Sequence, residues 1–291
     1  MPTNKLKNQI HLHFIVFIWG FTAILAALIS IDAIPLVWYR VMLASITLFL
    51  YFKIKKIKFK ISFDAFLRFL LGGIIIALHW VAFFYAIKIS TISITLITMS
   101  SSAIFVALLD PLFSKKKFRF YELLLASIVI IGFIIIFKVE NGYTKGIISA
   151  LISSVLLAFF SIFNSKNIQK YNAVHIAFYE LLTAFLFLSL VMLLSNTISF
   201  DTIKMTTSDW LYLIILSTVC TAYPFVIATN LLKKMSPFTI ILTNNLEPVY
   251  GIILAVIIFG DKEKMSVQFY IGAAIILGSV ILNGILKAKK N

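Results

Sequence analysis

Acidic residues are scarce in this chain. Eleven Asp and Glu stand against 26 Lys and Arg in 291 residues, and charged side chains of both signs make up only 13%. Ordinary soluble domains carry about 25% charged residues, so this polar coat is too thin for a water-solvated fold. Cysteine is nearly missing as well: Cys220 stands alone, which excludes an internal disulfide framework and any thiolate metal cluster. The four histidines, His11, His13, His79 and His175, form no HxxxH or HExxH pair, which argues against a zinc centre. No GxxxxGK[ST] stretch occurs, so ATP hydrolysis within the chain is not indicated, and no other cofactor is suggested. The positive excess does not read as a nucleic-acid footprint either. Its lysines sit in short connectors between apolar runs, not on a folded basic face with stacking aromatics.

What is abundant is hydrocarbon: 61% of residues are hydrophobic. A helix needs roughly 20 mainly apolar residues to cross a bilayer core. Ten segments qualify, 11–30, 33–52, 65–87, 91–112, 120–138, 146–164, 173–195, 209–231, 237–259 and 267–286. The connectors are short, so neighbouring segments run antiparallel and leave no room for a soluble domain. When loops are assigned alternately, only Lys88, Lys138, Lys145, Lys204, Lys262 and Lys264 fall on the side opposite the N terminus, with Arg40 inside a segment. The positive-inside rule then puts both termini in the cytoplasm. The chain reads as an all-α, multi-pass protein of the cytoplasmic membrane, with the lipid bilayer as its first partner. Lys5, Lys7 and the small Ala26 and Ala27 resemble a signal peptide, but its removal would leave nine spans and break the repeat described next, so the first segment is taken as retained.

Residues 90–136 align without a gap on residues 236–282, pairing Ser90 with Ser236, Phe113 with Phe259 and Gly132 with Gly278. The second and seventh segments match at a slightly different shift, where Ala33, Tyr39, Arg40 and Ala44 fall on Ala173, Tyr179, Glu180 and Ala184. The connector Lys115, Lys116, Lys117, Phe118, Arg119 matches Asp261, Lys262, Glu263, Lys264, Met265, so one copy is strongly basic and the other neutral. Five segments per half is an odd number, so the second half enters the membrane from the other side. Repeat 1 spans 1–138 and repeat 2 spans 139–291, two inverted-topology halves of the kind secondary transporters use.

At this point the chain resembles the EamA-type transporters of the drug/metabolite transporter superfamily. The resemblance rests on Trp19-Gly20, Arg40, Phe84-Tyr85-Ala86 with Ser90, the run Leu246-Glu247-Pro248-Val249, Gly260-Asp261, and Gly272 with Gly278. It covers essentially the whole chain as two five-helix EamA repeats and implies a ten-helix exporter of metabolites or drugs. One departure stands out. Ser102 occupies the position of Pro248, so the kink that the resemblance implies for both repeats is expected in only one.

Several polar residues lie inside the apolar segments, where a charge costs roughly 2.5–3.5 kcal/mol on insertion scales. Arg40 and Glu180 approach the midplane from opposite ends. They read either as a structural ion pair between repeats or as a substrate-facing pair whose Glu exchanges protons. Glu247 lies beside Asn244, Asn245 and Pro248, and the proline frees a backbone carbonyl. The cluster reads as a polar ligand site or as a self-satisfied packing kink. Pro224 marks a second kink, with Thr218, Thr221, Phe225 and Thr229 on one helical stripe and Tyr223 with Asn230 on the next. Ser/Thr stripes more often join helices than line cavities. His79 and Trp80 are too deep for the interfacial belt and read as cavity-lining.

These readings converge on a secondary transporter, most simply an exporter, of a small organic metabolite. Substrate would sit among Asn244, Asn245 and Glu247, walled by Trp19, His79, Trp80 and Tyr223. Arg40, Glu180 and Glu247 are the candidates for charge pairing or proton coupling, with protons as a second partner. A flippase for a lipid or lipid-linked sugar on the same fold is the alternative. An integral membrane enzyme acting on a lipid-linked substrate fits less well, because the surface acids lie scattered and no histidine accompanies them.

Overall fold

The computed structural model describes residues 2–114, 120–195 and 205–288, and among them every regular element is helical. The first half holds α1 (Pro2–Gly20), α2 (Thr22–Leu28), α3 (Ala33–Ile54), α4 (Phe63–Ile89), α5 (Ile92–Met99), α6 (Ser102–Ser114) and α7 (Phe120–Val139). The second holds α8 (Thr144–Asn167), α9 (Ala173–Leu194), α10 (Thr207–Ser217), α11 (Tyr223–Leu231), α12 (Pro237–Asn244), α13 (Glu247–Phe259) and α14 (Val267–Ala288). Helix starts follow the short polar residues between apolar runs. Ser62, Thr91, Asn172 and Ser236 each accept a backbone N–H of the helix they open, and Thr206 with Asp209 forms a capping box on α10.

Eight rods are long and apolar enough to cross a membrane, among them Leu6–Leu28, Ile92–Phe113, Thr207–Leu231 and Pro237–Glu263, each of which runs through a break in its helix. In α7 and α14 the apolar stretches within the described residues, Ser127–Ile136 and Val267–Ser279, are shorter. Large apolar side chains such as Leu50, Leu71, Leu190 and Ile214 point outward, the expected surface for a bundle whose solvent is lipid.

Segments that match in sequence pack against each other antiparallel. As α3 advances from Trp38 to Phe52, its partners on α9 fall back from Ser189, whose hydroxyl accepts the Trp38 N–H at 2.8 Å, to His175, whose ring lies 5.1 Å from that of Phe52. On α7 and α14, Gly132 faces Ile276 while Gly272 faces Ile136. Contacts between halves also exchange: α4 packs on α8 and α9, and in turn α11 packs on α1 and α10 on α3. Likewise α5 meets α13 and α6 meets α12. Such reciprocal contacts are the signature of a two-fold relation.

The breaks differ from the sequence expectation in one respect. Pro248 is in the first turn of α13, as anticipated, after a turn at Asn245 and Leu246. The first repeat, without a proline, breaks at the matching place, between α5 and α6 at Ser100 and Ser101. Here serine does the work. The Ser100 and Ser101 hydroxyls donate back to the carbonyls of Leu96 and Thr98, and their N–H groups tighten onto Ile97 and Thr98 at 3.2 and 3.1 Å. Local side-chain bonds of this kind compete with the α-helical ladder.

Candidate functional site

A cavity of about 120 Å³ lies between the halves, walled by α1 to α4, α8, the kinked α10–α11 rod and the broken α12–α13 rod, with Met99 alone from the broken α5–α6 rod. Pro224 cannot donate to the carbonyl four residues back, and the chain responds with a π-helical turn over Thr218–Ala222, closed by the Tyr223 N–H on the Thr218 carbonyl. That wider turn brings Cys220 and Thr221 onto the cavity wall. Thr221 accepts the Arg40 Nε–H at 2.6 Å and donates its own hydroxyl to the Leu216 carbonyl at 2.6 Å.

Arg40 is 1% exposed, with its guanidinium carbon 4.2 Å from the centre of the Trp80 ring and 5.1 Å from that of Phe84. The aromatic faces offset part of the cost of burying the cation, yet Nη1 has no hydrogen-bond partner among the described residues. Glu247 lines the same cavity from the first turn of α13, where the helix dipole favours a negative charge. The two residues are not in ion-pair contact, although each charge acts on the other across the space. Asn244 also lines the cavity, and its side-chain oxygen has no partner among the described residues.

His79 lies 2.9 Å through Nδ1 from the Ser153 carbonyl, an atom that can only accept. Nδ1 therefore carries the proton and Nε2 is left as an acceptor. The Ser153 hydroxyl, which donates to the His79 carbonyl at 2.9 Å, holds the ring in place.

Of the residues picked from sequence, Trp19, Arg40, His79, Trp80, Asn244 and Glu247 meet at this one cavity. Three do not. Tyr223 points outward, its ring edge-on to Phe14 at 6.4 Å, because it lies two residues from both Thr221 and Phe225 and so on the helix face opposite the one they turn to the cavity. Asn245 is buried in the turn between α12 and α13, away from the cavity wall. Glu180 is fully buried behind the wall, where its Oε2 accepts from the Asn164 amide at 2.9 Å and its Oε1 has no partner among the described residues. Arg40 thus pairs directly with neither carboxylate.

Sequence reasoning missed Thr22 and Asn164 as lining residues, and it read the Thr221–Phe225–Thr229 stripe as helix glue, whereas all three face the cavity. The stripe centred on a proline was the usable signal. The lining lies mainly toward one end of the bundle, that of Asn164 on α8, Leu232 after α11 and Ile240 on α12. At the opposite end Glu263 clamps the start of α5, accepting the Ile92 and Ser93 N–H groups at 3.0 Å each and the Ser93 hydroxyl at 2.9 Å.

A bundle of long apolar helices, folded as two matched halves with polar side chains gathered between them, defines a multi-pass membrane protein. The family model for the EamA-like transporter family matches residues 10–138 and again 144–285. The chain belongs to that family, a family of membrane transporters of the drug/metabolite type. No curated protein matches it. Among solved structures, one described as a crystal structure of a protein superposes with a TM-score of 0.70 at 13% identity, over 96% of this chain and 98% of that one. At that identity the likeness is one of fold.

Proposed function

We propose that this protein is a secondary transporter that exports a small organic metabolite across the cytoplasmic membrane by alternating access to the cavity between its halves. The reading takes ten membrane-spanning helices in two inverted repeats, 1–138 and 139–291, with both termini cytoplasmic and no reaction catalysed. Antiparallel packing of α3 on α9 and of α7 on α14 supports the inversion, and the distribution of Lys and Arg supports the orientation. The observation that carries the function is the meeting of Arg40 and Glu247, from different halves, at one cavity without pairing to each other. A bundle built only for stability would close two such charges on one another. In this orientation the cavity lies toward the cytoplasm, and Glu263 with α5 closes the outer end. The driving force is a substrate gradient or protons, with Glu247 as the carboxylate facing the cavity.

The single cysteine supplies the test, since Cys220 lines the cavity and no background thiol needs removal. In oriented membrane vesicles, an impermeant maleimide should reach Cys220 from either side, with access from one side falling as access from the other rises. A thiol that reacts from neither side, or from one side at an invariant rate, would remove the alternating-access reading.

A further inference from the structure

The connector from α3 to α4 gathers five lysines, Lys53, Lys55, Lys56, Lys58 and Lys60, within eight residues. It runs directly from one apolar span, Ala33–Ile54, into the next, Phe63–Ile89, so it lies where hydrocarbon gives way to headgroups. Side chains along it alternate. Ile57, Phe59 and Ile61 pack on the bundle, with the Phe59 ring 5.0 Å from that of Phe52, while Lys58 and Lys60 stand exposed between them. Two side chains of α9 hold the backbone in that register: His175 Nε2 donates to the Lys58 carbonyl at 2.9 Å, and the Tyr179 hydroxyl donates to the Phe59 carbonyl.

Lys53 lies over the rings of Phe49 and Phe59, at 5.5 and 5.7 Å. The other four lysines are exposed, and no carboxylate among the described residues pairs with them. Asp64, the nearest acid in sequence, is taken by Arg68 at 3.0 Å and by the Tyr171 hydroxyl at 2.8 Å. Ile54 and Phe63, at the two ends of the strap, are 76% and 73% exposed, so the row borders lipid and takes no part in the cavity wall. Lys56 sits at φ 52°, the one left-handed residue other than glycine among the described residues, and closes α3 as the Ile57 N–H bonds to the Phe52 carbonyl at 2.9 Å. Glycine is the usual residue at such a helix end, so the lysine keeps a charge where the backbone disfavours a side chain. The positive-inside rule asks for cations at this end, but neither for their alignment on one face nor for one in a strained position. The matching connector of the second half, 195–206, has one lysine, Lys204, beside Asp201, so the repeat itself does not require the row.

We propose that this strap is a binding site for the anionic headgroups of phospholipids, with Lys55, Lys56, Lys58 and Lys60 on the phosphates and Ile54 and Phe63 against the first methylenes of their chains. The orientation taken above puts the site in the cytoplasmic leaflet, where clustered lysines meet anionic lipid. The strap joins α3 to α4 and is pinned to α9, so bound lipid braces these three helices at their shared end. The proposal rests on the membrane fold and not on transport.

Thermal unfolding of the detergent-solubilised full-length protein tests it, with titration of dioleoylphosphatidylglycerol or dioleoylphosphatidylcholine. A ligand of the folded state raises the melting temperature with concentration. The glycerol lipid should do so at far lower concentration than the choline lipid, and glycerol phosphate, the headgroup without its chains, should have no effect. Each lysine near an anionic surface contributes about fivefold in affinity. Lys55→Gln, Lys58→Gln and Lys60→Gln together should therefore weaken the response to the glycerol lipid on the order of a hundredfold. Removal of the same charge elsewhere at that end, by Lys170→Gln, Lys233→Gln and Lys234→Gln together, should leave the response near wild type. Lys56→Gly separates binding from folding, because it should raise the melting temperature without lipid and weaken the lipid response about fivefold. That variant carries the test if the triple strap variant folds poorly. Strap variants that respond as the wild type does, a control variant that loses as much as the strap variant, or equal stabilisation by glycerol phosphate would overturn the proposal.

Discussion

The Glu180 carboxyl occupies the space that a side chain on Gly72 would need: a Cβ there would lie 2.2 Å from Glu180 Oε1. The next residue is equally constrained, since a Cβ on Gly73 would meet the Thr183 hydroxyl at 2.1 Å and the Glu180 carbonyl at 2.5 Å. This pair of glycines lets α4 and α9 approach across the boundary between the halves, as small residues do in membrane bundles. Gly72→Ala and Gly73→Ala should each destabilise the protein by about 1–3 kcal/mol, the usual cost of overpacking. Thermal unfolding in detergent reads the loss. The obstacle at Gly72 is a side chain and that at Gly73 includes backbone. In a Glu180→Ala background Gly72→Ala should therefore cost much less, while Gly73→Ala should cost nearly as much as before. Equal penalties in both backgrounds would mean that Glu180 does not set the spacing.

Arg40 depends on Thr221 in a way that separates its hydroxyl from its shape. Thr221→Val keeps the volume and removes the acceptor of Arg40 Nε–H, leaving a second unmatched donor on a buried cation. The expected cost is about 1–3 kcal/mol, the penalty for an unsatisfied buried group. Thr221→Ser should stay near wild type in stability and in transport. A serine variant as impaired as the valine one would show that the methyl group, not the hydroxyl, matters here.

Much of the fold was legible because lipid imposes simple rules. Apolar run length marks helices, and short connectors force antiparallel neighbours. Matched residues such as Ser90 with Ser236 locate the repeat, and their order, together with Trp19-Gly20 and Glu247-Pro248, identifies the family. The site was only partly legible. Arg40, His79 and Glu247 stood out as charges or rings too costly to face lipid. Tyr223 could have been set aside from spacing alone, since two residues from Thr221 and from Phe225 it lies on the face opposite the stripe that lines the cavity. The break at Ser100 and Ser101 was hidden: serine permits a helix to continue, and only the tertiary setting makes its back-bonding win. Glu180 matched Arg40 in alignment, yet the two sit at different depths from the cavity, which a one-dimensional pairing cannot reveal.

Glu263 ties the connector before α14 to the first turn of α5, so it links one half to the other at the end away from the cavity. Glu263→Gln keeps one acceptor oxygen and Glu263→Ala keeps none. Caps of this type contribute roughly 0.5–2 kcal/mol, and a carboxylate at a helix start adds to this through the dipole. Weakening the tie should favour the state open at that end. Labelling of Cys220 from the outer face should rise in the order wild type, Gln, Ala, by up to about tenfold for a bias near 1.4 kcal/mol. An unchanged labelling ratio with reduced thermal stability would assign Glu263 to folding alone.

The two buried carboxyls make opposite predictions for pH. Glu247 faces the cavity beside Arg40 and His79, the other ionisable groups on its wall besides Cys220, and a proton competes with any cationic ligand for its oxygens. Glu180 reaches the cavity only through Asn164, whose amide donates to it, and contacts no ligand space itself. Exchange in proteoliposomes should therefore depend on pH in the wild-type protein and in Glu180→Gln, with both losing substrate affinity as acid protonates Glu247. In Glu247→Gln the affinity should be low and flat across the same range. Glu180→Gln keeps an oxygen for the Asn164 amide, so its main effect should be a modest change in stability. If the pH profile flattens in Glu180→Gln and persists in Glu247→Gln, the proton site lies behind Asn164 and the amide is part of its path, not part of its insulation.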